Sequence, residues 1–168
     1  MILKLAIIIP IIALSSGCTR QASSTHMTEV EVLAVKNNVN NFMSTVASEV
    51  TKKGPIAWQG FFSNNPDFFM AVNGRIQFKD SDTATEEINK LSRITKHIEL
   101  KWGDPVRIDP LSPTMAIVAA PYHEVLMDMN GNKAEEDGYF TALAEQKVIG
   151  WQFRNAHWSL MTESPVVP

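Results

Sequence analysis

Residues able to do chemistry gather near the end of the chain, in Gly150-Trp151-Gln152-Phe153-Arg154-Asn155-Ala156-His157-Trp158-Ser159. A β-strand sends successive side chains to opposite faces. Read as one regular strand, the segment puts Trp151, Phe153, Asn155, His157 and Ser159 on one side. That side is an apolar wall ending in an imidazole and a hydroxyl, which suits the lining of a ligand pocket. An imidazole in such a place titrates near neutrality and can move a proton, so His157 is the candidate acid–base. The competing reading makes it a packed core histidine beside tryptophan.

Other chemistries find less support. His26, His97, His123 and His157 are scattered, without the close pairing of a zinc site. Asp128-Met129-Asn130-Gly131 begins like a calcium loop, but its glycine comes early and Tyr139 stands where the closing glutamate belongs. It reads as a turn between strands, and no metal is expected. Neither a nucleophile-elbow serine nor a phosphate-cradling glycine loop is present, and no cofactor is expected. The net charge of −3 is dispersed, without the basic stripe of a nucleic-acid binder.

The elements that must position these residues begin after a distinct N-terminus. Met1-Ile2-Leu3-Lys4 is a short positive start, Leu5 to Leu14 is almost wholly aliphatic, and Ser15-Ser16-Gly17 is small. This order is that of a secretory signal, too short in its apolar part to span a bilayer. The only cysteine, Cys18, follows at once. Residues 1–18 resemble a bacterial lipoprotein signal, with Leu14 one place further from the cysteine than usual. The resemblance implies export, cleavage after residue 17, and a lipid anchor on Cys18. Each buried methylene of an acyl chain contributes about 0.8 kcal/mol. Thr19, in place of aspartate, implies the outer membrane. Residues 18–27 read as a polar tether, 28–162 as one domain and 163–168 as a tail.

Within the domain, Thr28 and Glu31 have capping-box spacing ahead of an apolar stripe, Val32, Val35, Val39, Phe42, Met43, Val46 and Val50. Lys52-Lys53-Gly54-Pro55 ends that helix. Pro55 to Ser63 reads as a short second helix. Phe68–Val72 and Arg75–Lys79 read as strands about Asn73-Gly74. Thr83 and Glu86 open a third helix expected to end near His97, with Ile98 on its face. Thereafter 98–109, 114–129, 133–148 and 150–161 read as strands, with Pro121 marking a bulge or an edge. Helices followed by antiparallel strands make an α+β pattern, with helices on one sheet face.

Leu111-Ser112-Pro113-Thr114-Met115-Ala116-Ile117-Val118, then Gly131, Tyr139-Phe140-Thr141, Gly150-Trp151 and His157-Trp158-Ser159 follow in order. This set resembles the nuclear-transport-factor-2-like superfamily over residues 28–162. Arg154-Asn155 departs from it, standing where apolar residues or histidine are common. The resemblance implies a strongly curved antiparallel sheet wrapped on three helices as a cone. It also implies a homodimer through the outer sheet face. A pocket for a small apolar or amphipathic ligand would be lined by Trp58, Phe62, Phe69, Tyr122, Trp151, Phe153, Asn155 and His157. Enzymes of the superfamily use an aspartate or histidine base with a tyrosine or carboxylic acid beside the enolate. By fold position, Asp67, Tyr122 and Glu124 would be the partners of His157 in an isomerase, dehydratase or cyclase. Binding or assembly without catalysis is the preferred reading, because no paired buried acids follow from spacing.

Overall fold

The structure, a computed structural model, describes residues 26–161. The expected signal, Cys18 and the tail at 163–168 lie outside them. Helix α1 (Glu29–Lys53) starts on the capping box read from the sequence. The Thr28 hydroxyl accepts from the Glu31 amide at 3.2 Å, and the Glu31 carboxylate accepts from the Thr28 amide at 2.8 Å. Its buried stripe is Val35, Val39, Met43, Val46 and Val50, the heptad-like spacing of a helix laid on a sheet. Gly54, at φ 81°, ends it in a conformation that favours glycine. A 3-10 helix follows at Pro55–Gly60. Helix α2 spans Ser81–Ile94 and buries Ala84 and Ile88.

Two local expectations for α2 are corrected. Its cap is Asp80, whose carboxylate accepts from the Thr83 amide at 2.7 Å, rather than Thr83 itself. The helix ends at Ile94, and the chain enters strand β3 (Thr95–Trp102) without a loop. His97 and Ile98 therefore belong to the sheet. The β-branched Ile94, Thr95 and Ile98 favour that change.

The other strands are β1 (Phe69–Val72), β2 (Arg75–Phe78), β4 (Arg107–Ser112), β5 (Met115–Asp128), β6 (Lys133–Lys147) and β7 (Gly150–Leu160). They form a curved, unclosed sheet in the order β2-β1-β7-β6-β5-β3, with β4 also on β5. All pairs are antiparallel except β1 with β7, which is parallel. Long strand β5 changes partner midway: β3 takes residues 122–128 and β4 takes 115–119. Pro121 sits in the gap between them. It is not a bulge, since the ladder to β6 runs through it without a break, but on its other side it stands at a local edge with no paired strand. Its carbonyl accepts from Gly103 on the side of the gap, where the missing N–H has no strand partner to lose.

The core lies between α1 and the concave sheet face, with Phe68, Phe140, Phe153 and Met43 fully buried. The Trp102 indole donates to the Met43 carbonyl at 2.8 Å, and the Thr51 hydroxyl accepts from the Leu100 amide at 3.0 Å. These two bonds fix the helix lengthwise on the sheet. Strand β7 then decides which residues face this core. Its ladder to β6 pairs Phe153 with Ala144 but Asn155 with Leu143, so Arg154 is an extra residue. Such a bulge moves every later side chain to the opposite face.

Candidate functional site

Beyond the bulge, Ala156, Trp158 and Leu160 point inward, while Asn155, His157 and Ser159 point outward. Trp158 becomes the centre of an aromatic cluster. Its ring lies 4.5 Å from Tyr122, 4.7 Å from Phe140, 5.7 Å from Trp58 and 5.9 Å from Trp102, centroid to centroid. Trp58, on the 3-10 helix, stacks on Phe62 at 5.1 Å. Of these rings, Trp58, Phe62, Tyr122 and Trp158 floor a cleft of about 250 Å³ on the inner sheet face. Ile88 and Leu91 of α2 and Phe78 of β2 wall it. The β1–β2 turn is tied to β7: the Asn73 side chain accepts from the Leu160 amide at 2.8 Å, and its own amide donates to the Trp158 carbonyl. Asn73 takes φ 49°, a left-handed conformation that asparagine tolerates in turns.

One end of the cleft is acidic. Glu124 of β5 and Glu136 of β6 are directly opposed across the antiparallel ladder, and both line the cleft. Opposed residues stand about 5 Å apart at Cβ, where like charges repel. Burial first, and then the Glu136 charge, push the Glu124 carboxyl up to about 7. The next inward residue, Tyr122, faces Gly138. A Cβ at Gly138 would lie 2.6 and 2.7 Å from Cε1 and Oη of Tyr122 and would run into the Ser159 carbonyl. Only glycine lets the phenol ring lie flat over β6 there. Burial, then the charges of Glu136, Glu124 and Asp137, push the Tyr122 hydroxyl up to about 12, so it remains a donor. The arrangement can hold an apolar body on rings and a donor or cation on carboxylates. Glu124 can also exchange a proton near neutrality.

The residues singled out in the sequence divide among four places. Trp58, Phe62 and Tyr122 line the cleft. Phe153 is fully buried, 4.8 Å from Phe42 and 5.1 Å from Phe140, and Trp151 packs half-buried on the same core. Phe69, Asn155 and His157 lie on the outer sheet face, in a shallow depression with Leu111 and Ile117. The Asn155 side chain accepts from the Leu143 amide at 3.3 Å, beside the bulge. Asp67 is exposed in the turn before β1. The single face expected for Trp151, Phe153, Asn155, His157 and Ser159 is thus corrected by the bulge at Arg154. His157 and Tyr122 stand on opposite sides of the sheet, and Asp67 joins neither. Trp158, Glu136 and Leu160 were not foreseen in the site.

Neither a family model nor a curated protein sequence matches the chain. Solved structures do. A nuclear transport factor 2 (NTF2-like) superfamily protein from Salmonella enterica serovar Typhimurium superposes with TM-score 0.64 at 14% identity, covering 84% of this chain and 98% of that one. An NTF-2-like protein of unknown function from Shewanella oneidensis gives 0.57 at 18%, covering 74% and 98%. Hexachlorocyclohexane dehydrochlorinase LinA-type3 from Novosphingobium barchaimii gives 0.62 at 12%, covering 83% and 95%. Likeness at such identities concerns architecture, and the architecture is clear: this chain has the nuclear-transport-factor-2-like cone fold.

Proposed function

We propose that this chain is an exported domain, held to a bacterial envelope membrane by lipid on Cys18, that binds a small amphipathic molecule in its inner cleft. The ligand's apolar body lies on Trp58, Phe62 and Trp158, and its head donates hydrogen bonds to, or carries positive charge toward, Glu124 and Glu136. One observation carries this reading: a carboxylate pair closes one end of a cleft otherwise walled by aromatic and aliphatic side chains. Aromatic faces and carboxylates both favour a cation.

Hexylamine, hexanol and hexanoate share one apolar body and differ in their heads, so they test the reading directly. Titrated against the intrinsic tryptophan fluorescence, the amine should bind most tightly and the carboxylate most weakly. Glu124→Gln should narrow the gap between amine and carboxylate while leaving hexanol unchanged. Absence of saturable binding by all three, or preference for the carboxylate, overturns the reading.

A second reading rests on the position of Glu124 near pKa 7. A base in an apolar cleft is what an elimination or isomerisation requires, and a neighbour of the same fold is named as a dehydrochlorinase. Here Glu124, with Tyr122 as donor, takes the part that the sequence suggested for His157 with Asp67 or Tyr122. Turnover that follows a single pKa near 7 and vanishes in Glu124→Gln would support it. Assembly belongs to the other face, where the depression holding Phe69, Leu111 and Ile117 offers an apolar surface for a second copy.

A further inference from the structure

We infer that the end of the domain bearing the β6–β7 turn touches lipid, with Val148 and Ile149 entering the bilayer to which the chain is anchored. These are the two most exposed large apolar side chains among the described residues, Val148 fully open and Ile149 at 80%. They occupy the turn between two long strands, where Lys147 pairs with Gly150, so the ladder presents them outward at a fixed place.

The turn shares its end of the molecule with the start of α1. Along β5, Leu100 stands opposite Glu124 and Trp102 opposite Tyr122. Thr51 bonds to the first and Met43 to the second. Further toward its N-terminus, α1 brings Lys36, Asn37 and Asn40 beside Ile108, which pairs with Val118. The helix therefore runs backward along β5, toward Met115, and Met115 stands opposite Glu145 of β6. From Asn37 to Glu29 the helix advances about 12 Å. From the level of Val118 to Val148 the strands advance roughly 20 Å. The tip thus projects several ångströms past the first turn of α1, within the 5–10 Å depth of interfacial insertion.

This inference rests on the proposed acylation of Cys18. The ten residues from Cys18 to Met27 reach at most about 35 Å, so they hold this end, and not the opposite one, near the membrane. Val30 and Leu33, also exposed, stand in the same region on α1. Two of the nearby charges are engaged: Glu31 caps Thr28, and Lys147 pairs with Glu145 at 2.8 Å. The contact is apolar, so added salt should not release it.

The test uses the full lipidated chain in phosphatidylethanolamine–phosphatidylglycerol vesicles. Cys18 is the only native cysteine, so acylation leaves an introduced thiol as the sole labelling site. An environment-sensitive fluorophore is placed at Ile149→Cys or, as control, at Asn130→Cys in the β5–β6 turn at the far end. Nitroxide lipids spin-labelled near the headgroup should quench the label at 149 several-fold more than the label at 130, at low and high salt alike. Equal quenching at the two sites, in protein whose intact mass shows acyl chains, overturns the inference alone. An intact mass without acyl chains overturns the anchoring, and this inference with it.

Discussion

Glu124 carries two conditions that act in the same direction: a cleft that removes water from it and a second carboxylate facing it. Folding raises its pKa from 4.5 to about 7. Between these values the folded protein keeps a proton that the unfolded chain has released. The contribution of this group to stability is therefore greatest below pH 4.5, falls as pH rises to about 7, and is flat above. Glu124→Gln should match the parent at pH 4 and exceed it at pH 8 by on the order of 1–3 kcal/mol. Urea unfolding at the two pH values checks this, and a difference independent of pH contradicts it. The pair was only half legible in the sequence. A two-residue turn at Asn130-Gly131 would set Glu124 opposite Asp137, whereas the actual register is centred on Asn130 and sets it opposite Glu136.

Strand β7 shows how one extra residue redirects a site. Its existence and span were legible from alternation and from the flanking glycine. Its faces were not, because period-two reading assumes an unbroken ladder and Arg154 breaks it. Arg154-Asn155 was the place where the sequence departed from the superfamily pattern, and the bulge falls there. The consequence separates two neighbours. Trp158→Ala removes the ring that touches Trp58, Trp102, Tyr122 and Phe140, and should cost roughly 3–5 kcal/mol together with hexylamine binding. His157→Gln lies on the outer face and should leave both unchanged. Denaturant melts with parallel fluorescence titrations distinguish the two, and a loss of hexylamine binding in His157→Gln would place the site on the wrong face.

For the whole molecule, one sheet serves two surfaces. Its concave face closes on α1 and the cleft. Its convex face exposes Phe69, Leu111 and Ile117, between 42% and 55% exposed, around a depression of about 550 Å³. Apolar side chains grouped on an open sheet face favour association. If two copies meet there, Leu111→Glu with Ile117→Glu should convert a dimer to a monomer in light scattering, without altering the melting temperature of the isolated subunit. A parent protein that is monomeric at micromolar concentration sets this association aside.

By itself the sequence determined the elements and their order: a capped amphipathic helix, a short aromatic helical turn, hairpins at Asn73-Gly74 and Asn130-Gly131, and a β-rich second half. Periodicity, caps and turns are local, so they can be read from neighbouring residues. Tertiary structure decided what local pattern cannot contain: the bulge that exchanged His157 for Trp158, the parallel pairing of β1 with β7, and the change of partner at Pro121. It also decided that two glutamates twelve residues apart would share one end of a cleft, where the loss of water and their mutual repulsion give Glu124 its chemistry.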